Sequence, residues 1–249
     1  MPTQEGKLGM GGEVSLRRGR NLGDLAVQQG PGLLWKARNF FGGHYRGLAH
    51  TLATDLSGRL LGHMHMQSEL VGRVLRPNLA ELAPEQIAKL RRLLADNVDV
   101  RRLASPFHAD VVDYGTLSLR VVTTTGVTYL ANNFAASGQL IANFKFHGFG
   151  SGTGAEAVGD TTLGTEYTTE YASDSIRPTG SQASAAGVYT TVGTFSPDSG
   201  GTLSVTEHGI FSASASGTLW DRSKFSVVSL VAGNDSLQVT YNLTCTAGG

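Results

Sequence analysis

The chain has 249 residues, with 20 Lys+Arg against 20 Asp+Glu, 40% apolar and 16% charged residues, 33 Gly and one Cys. That apolar share builds one or two ordinary cores and excludes a wholly disordered chain or a coiled coil. No apolar run approaches the roughly 18 to 20 residues of a membrane helix, the first thirty residues lack a hydrophobic signal core, and Cys245 alone forms neither an intrachain disulfide nor a Cys-based zinc cluster. The expectation is a soluble chain with no export address.

The balanced charge hides an asymmetry. Residues 1–110 hold 15 Lys/Arg and 10 Asp/Glu, whereas residues 111–249 hold 5 and 10. Ser plus Thr number 7 in the first part and 38 in the second. The shift places a boundary near Ser105-Pro106, with an N-terminal arm over 1–105 and a second domain over 106–249.

From Met1 to about Asn78 glycines interrupt the chain repeatedly, which disfavours long helices. Between them stand short apolar clusters, Leu33-Leu34-Trp35 and Phe40-Phe41 foremost, flanked by arginines. Each large apolar side chain left in water forgoes about 1.5–3 kcal/mol, so these clusters need a surface: a partner's surface is the leading expectation, and a small irregular domain packed on the chain's own C-terminal half is the alternative. Arg17, Arg18, Arg20, Trp35, Phe40 and Phe41 are the candidate anchors: arginines for paired hydrogen bonds to carboxylates, aromatics for pockets. Residues 60–75 carry an apolar stripe at helical spacing that Gly62 and Gly72 weaken. Pro84 in a first turn, with Ile87, Leu90, Leu93 and Leu94 at three- and four-residue spacing, predicts a helix near 84–96.

Beyond 106 the pattern becomes strand-like. Runs at 117–123, 127–131, 140–147, 165–171, 188–195, 203–211 and 225–231 are joined by Gly/Ser/Asp/Pro-rich connections, and 132–138 reads as a loop. Leu237, Val239, Tyr241, Leu243 and Cys245 alternate with polar residues, predicting a strand with one buried face. The turn composition of Ala232-Gly-Asn-Asp235 predicts that this strand pairs with 225–231 as a hairpin. The expected fold is mainly β: a C-terminal antiparallel β-sandwich, jelly-roll-like, preceded by an irregular, partly helical arm.

Chemical motifs are weak. Gly148-Phe-Gly-Ser-Gly-Thr-Gly154 resembles a phosphate loop, but Thr153 stands where the spacing needs Gly and no GK[ST] follows. Pro197-Asp-Ser-Gly-Gly201 has the composition of a turn and lacks a His motif before it. His63 and His65, with His44, His50 or Glu69, form the best metal signal, though Met64 and Met66 serve equally as apolar anchors. Glu207 and His208 are strand neighbours facing opposite sides. Asp160, Glu166, Glu170 and Asp174 show no spacing that forces a carboxylate pair. The expectation is no enzyme, no cofactor and no metal.

Five stretches carry a resemblance: Phe144-Lys-Phe-His-Gly-Phe-Gly-Ser-Gly-Thr-Gly154, Ala157-Val-Gly-Asp-Thr-Thr-Leu163 with Thr165-Glu-Tyr167, Val205-Thr-Glu-His-Gly-Ile-Phe211, Leu219-Trp-Asp-Arg-Ser-Lys-Phe225 and Gly233-Asn-Asp-Ser-Leu-Gln-Val-Thr-Tyr241. Over about 113–249 the chain resembles the decoration, head-fibre and tail-fibre proteins of tailed bacteriophages. The resemblance implies a self-associated β-sandwich on the virion, made in the host cytoplasm, with no catalytic residue to carry over. The leading expectation is a homotrimeric capsid decoration or cement protein whose arm binds the shell, so that removal of 1–76 leaves the sandwich folded. The alternative is a neck or tail fibre anchored on portal or tail proteins and binding a host surface glycan or receptor. Membrane partners are not expected, and dispersed positive charge disfavours nucleic acid.

Overall fold

The structure, a computed structural model, describes residues 6–8, 12–14, 65–119, 121–135 and 140–246. The chain divides into two units, Met1–Leu60 and Leu61–Gly249. In the first, strands β1 (Gly6–Leu8) and β2 (Gly12–Val14) pair antiparallel. The anchors Arg17, Arg18, Arg20, Trp35, Phe40 and Phe41 lie outside the described residues.

The second unit is mainly β, built from two antiparallel sheets. Its strands are β3 (His65–Pro77), β4 (Ala109–Leu119), β5 (Val121–Val122), β6 (Phe146–Gly150), β7 (Ser181–Ala185), β8 (Val188–Phe195), β9 (Thr202–Phe211), β10 (Leu219–Val231) and β11 (Ser236–Thr246). One sheet has the order β5-β10-β9-β6 and the other β4-β3-β11-β8-β7. Between them pack Leu70, Val74, Phe149, Phe195, Val205, Ile210, Trp220, Val228, Leu230, Val239 and Tyr241.

β3 corrects two expectations. Residues 65–77 form a strand, not a helix, and this strand pairs with β11 from Ser236↔Leu75 to Thr246↔His65 and with β4 on its other side. The sandwich therefore begins before residue 105, and the boundary moves to Leu60/Leu61. Period-2 burial places Leu70 and Val74 against the opposite sheet, and that non-local burial overrides the weak helical stripe.

The predicted helix is present as α1 (Pro84–Ala95), with Pro84 in its first turn and the Gln86 side chain accepting from the Ala83 N–H at 2.9 Å. A short helix α2 (Val100–Leu103) follows, capped by the Asp99 carboxylate on the Arg101 N–H. Leu82, Leu90, Leu94, Val100, Leu103 and Phe107 form a second core with Leu75. Buried Gln238 of β11 joins this layer to the sheet. Its side chain accepts from Val100 N and donates to Val98 O and Thr194 Oγ1, at 3.0–3.2 Å.

Several local predictions fail, the strand expected over 140–147 among them: a single helical turn occupies Ile141–Asn143 and the strand begins at Phe146. Residues 127–131, read as a strand, and 132–135, read as loop, lie in helix α3 (Thr124–Ala135). Thr123 caps it, its Oγ1 accepting from Gly126 N, and Tyr129 sits edge-on to Phe144 at 4.6 Å between ring centres. Residues 165–171 form a loop whose Tyr167 and Tyr171 are buried in the core. Finally, β10 and β11 do not pair. The chain from Ala232 to Asp235 crosses between sheets, held by Ala232 N on Gly201 O, Gly233 N on Pro197 O and Val231 N on the Asp235 carboxylate. Turn composition marks a reversal but carries no information on which sheet receives the next strand.

Candidate functional site

Among the described residues, the densest charged cluster lies on the outer face of the four-stranded sheet. Alternation along β9 sends His208 and Ile210 inward and Glu207, Gly209 and Phe211 outward. Glu207 is nevertheless fully buried, because residues 151–165 fold over it. Its Oε1 accepts from Gly152 N at 2.9 Å and Thr165 N at 2.7 Å. Its Oε2 accepts from Gly164 N at 3.0 Å and from Arg222 Nε and Nη2 at 3.0 and 2.7 Å. Arg222 of β10 also reaches Asp160 at 2.8 Å.

Burial opposes charge on Glu207, but the Thr165 and Gly164 N–H groups and the Arg222 guanidinium outweigh it, and its pKa lies below the ordinary value. Asp160 follows the same logic: partial burial raises its pKa, and Arg222 and the Ala157 N–H bring it down on balance. Arg222 is held protonated by Asp160 and Glu207 against the cost of burial.

A second pair fixes the same loop. Arg177 donates to both oxygens of Glu166, at 2.5 and 2.8 Å, and its guanidinium lies 3.5 Å from the centre of the Phe211 ring. Tyr171 OH donates to Glu166 at 3.2 Å, and burial together with the Glu166 charge pushes the phenol pKa up.

These groups hold structure rather than poise a reaction. Glu207 receives five donors, which fills the lone-pair capacity of a carboxylate and leaves none to take a proton from a substrate. The glycine run resembling a phosphate loop serves the same knot. A Cβ on Gly150 or Gly152 would overlap Glu207, so the bare backbone is what lets the loop amides close on the protein's own carboxylate.

The other sequence candidates do not assemble. His65 opens β3 opposite Thr246, Met66 packs on the core, and Glu69 accepts from Thr116 Oγ1, while His44, His50, His63 and Met64 lie outside the described residues. No group of three or more His, Cys, Asp or Glu among the described residues is placed to hold a metal. Ser199 Oγ donates to the Thr169 carbonyl within a turn whose Gly200 and Gly201 have φ of +94° and +70°. Glu207 and His208 face opposite ways, as expected.

Sequence reading missed a polar line through the sandwich interior. His147 Nε2 lies 3.0 Å from Thr191 Oγ1 and its Nδ1 3.0 Å from His208 Nε2. Gly193 and Gly180 leave the room its ring fills. Further along, Ser68 Oγ donates to Asp221 at 2.8 Å and Trp220 Nε1 to Tyr241 OH at 2.7 Å. All of these side chains belong to residues that are almost completely buried. A cleft of about 650 Å³ opens between α1 and the 171–179, 194–198 and 233–236 segments.

No protein-family model, curated protein or solved structure matches the chain. Four separated stretches of the chain supply the parts of the knot: 144–154 gives Gly152, 157–167 gives Asp160 and Thr165, 205–211 gives Glu207 and 219–225 gives Arg222.

Proposed function

We propose that the chain is a structural protein of a tailed-bacteriophage particle, a capsid decoration or cement protein that docks through its N-terminal segment and displays the sandwich. The observation that supports this reading is the convergence of the resembling stretches on one saturated ion-pair knot. A device that clamps a long loop onto a sheet suits a module whose task is to keep its shape. The charge distribution agrees with docking. Residues 1–60 hold 8 Lys/Arg against 4 Asp/Glu, and residues 61–249 hold 12 against 16, so the segment outside the sandwich is the basic one.

The test compares the full chain with a chain lacking residues 1–60 for binding to purified heads that lack the protein. Loss of binding by a folded sandwich supports docking through the segment; retained binding overturns it. The neck or tail-fibre reading is favoured by the cleft beside α1, where apolar Ile87 and Leu90 stand near polar Arg91 and Asp198. Labelling on the tail instead of the head, with saturable binding of host surface glycan lost in Arg91→Ala, would replace decoration by this reading.

A further inference from the structure

His147 ties the two sheets of the sandwich together. It stands on β6, the edge strand of the four-stranded sheet, and its Nε2 lies 3.0 Å from Thr191 Oγ1 on β8 of the five-stranded sheet. Its Nδ1 lies 3.0 Å from Nε2 of His208 on β9. All three residues are completely buried. The ring has a slot of its own: a Cβ on Gly180 or Gly193 would overlap it, so two glycines keep the space that one imidazole fills. The Phe149 ring stands edge-on to that of His208, 5.1 Å between centres.

The number of protons this contact accepts is limited. A hydrogen bond between two imidazole nitrogens needs one N–H and one bare nitrogen. With both rings protonated, two N–H groups face each other across 3.0 Å and the bond is lost. The folded pair therefore holds at most one proton more than two neutral rings. The unfolded chain has no such limit, because each His takes its proton as pH falls through about 6.5.

The surroundings do not lift the limit. On the inner face of β10, Ser223 stands opposite His208 and Asp221 stands diagonally from it. Ser68 Oγ of β3 donates to Asp221 at 2.8 Å, and Tyr241 OH of β11 lies 3.5 Å from the same carboxylate. Beside the rings, Tyr171 OH accepts from Phe149 N, and β8 presents Thr191 and Gly193. Glu207, Arg222, Lys224 and the Glu166–Arg177 pair over Phe211 lie on the outer face of the sheet. The Asp221 carboxylate offsets one imidazolium, and a second has neither counter-charge nor acceptor.

We propose that the His147–His208 pair is a proton-operated latch between the two sheets, closed while one nitrogen of the contact stays bare and opened when mild acid protonates both rings, which releases edge strand β6 from β8. Well below pH 6.5 the unfolded chain binds two protons at these rings and the closed latch binds one at most, so stability falls as pH falls. This window lies above the one in which Glu207 and Asp160 take up protons. The latch concerns the sandwich alone and does not depend on where the protein docks.

The test is urea unfolding of the full chain at a series of pH values. The unfolding constant should rise at least about fivefold between pH 6 and pH 5, from the difference of about one proton. His208→Gln should cut the logarithm of that rise by at least half. The Gln amide turns to offer His147 Nδ1 either a donor or an acceptor, so a protonated His147 keeps its bond. Imidazole nitrogen NMR of the natural chain gives a second readout, which decides if His208→Gln fails to fold. It should show one bare nitrogen at the contact at pH 7, and loss of amide-exchange protection along β6 as the second proton enters. An unfolding constant that stays flat between pH 6 and pH 5 overturns the latch. So does a slope that His208→Gln leaves unchanged, or full protonation of both rings in a chain whose β6 amides stay protected.

Discussion

Glu207 and Arg222 stand diagonally on neighbouring strands, with Arg222 opposite Gly209 and Glu207 opposite Lys224, and the guanidinium closes on the carboxylate at 2.7 and 3.0 Å. Both residues are at most 4% exposed, so neither charge has water to fall back on. The pair, the loop over it and the Asp160 arm of the knot form one unit.

Removing one partner should therefore cost more than removing both. Arg222→Met leaves a buried carboxylate held by backbone N–H groups alone and is expected to destabilise the sandwich by about 3–5 kcal/mol in urea unfolding. Glu207→Gln/Arg222→Met should cost less than the sum of its single substitutions, because it removes the uncompensated charge. Strict additivity would show that the pair is not coupled.

Two substitutions within one glycine run should separate close approach from ordinary loop freedom. Gly152→Ala drives a methyl into the Glu207 carboxylate and is expected to cost about 1–3 kcal/mol, whereas a Cβ on Gly154 meets nothing within 4 Å. The melting temperature of Gly152→Ala should fall by several degrees while that of Gly154→Ala barely moves. Equal shifts would contradict the packing of the loop.

Acid should loosen the knot in a defined direction. Glu207 and Asp160 have folded pKa values below their ordinary 4.5 and 3.8, so between its folded and its ordinary value each group binds more protons in the unfolded chain than in the folded one. Their contribution is fully present above about pH 5 and is lost as pH falls through the folded values. The urea midpoint should drop on acidification below that pH, and Arg222→Met should flatten the drop. An unchanged slope in the variant would remove the knot as its source.

The central position of β3 changes what a truncation does. Removal of residues 1–60 should leave a cooperatively folding sandwich, because the second unit begins at Leu61. Removal of 1–76 takes out nearly all of β3, which pairs on both sides and carries Leu70 and Val74 into the core, and should abolish cooperative unfolding. Calorimetry of the two truncated chains checks this, and a sharp transition in the shorter one would refute the assigned register.

Part of the knot was legible in advance. Residues 111–249 contain only three arginines, and two of them, Arg177 and Arg222, close on carboxylates, half-buried Glu166 and buried Glu207. An isolated Arg in a Ser/Thr-rich, strand-forming region is a signal that can be read from sequence. Its partner was not legible: Glu166 is 11 residues from Arg177 in the chain and Glu207 is 15 from Arg222, and no local spacing rule links residues across different strands and loops.

The amino-acid order by itself determined the local features: the α1 helix from its Pro84 start and apolar spacing, the strands at 188–195 and 202–211 from their β-branched runs, and the alternation of β11 that turns Leu237, Val239, Tyr241 and Leu243 to one face. These depend on neighbours within one or two turns of chain, which sequence displays directly. Tertiary structure alone decided that 65–77 is a central strand, that Val127–Ala131 coils into α3 against Phe144, and that β10 and β11 part into different sheets. In each case the deciding free energy is burial against residues far away in the chain, which exceeds the small local preferences of the same residues.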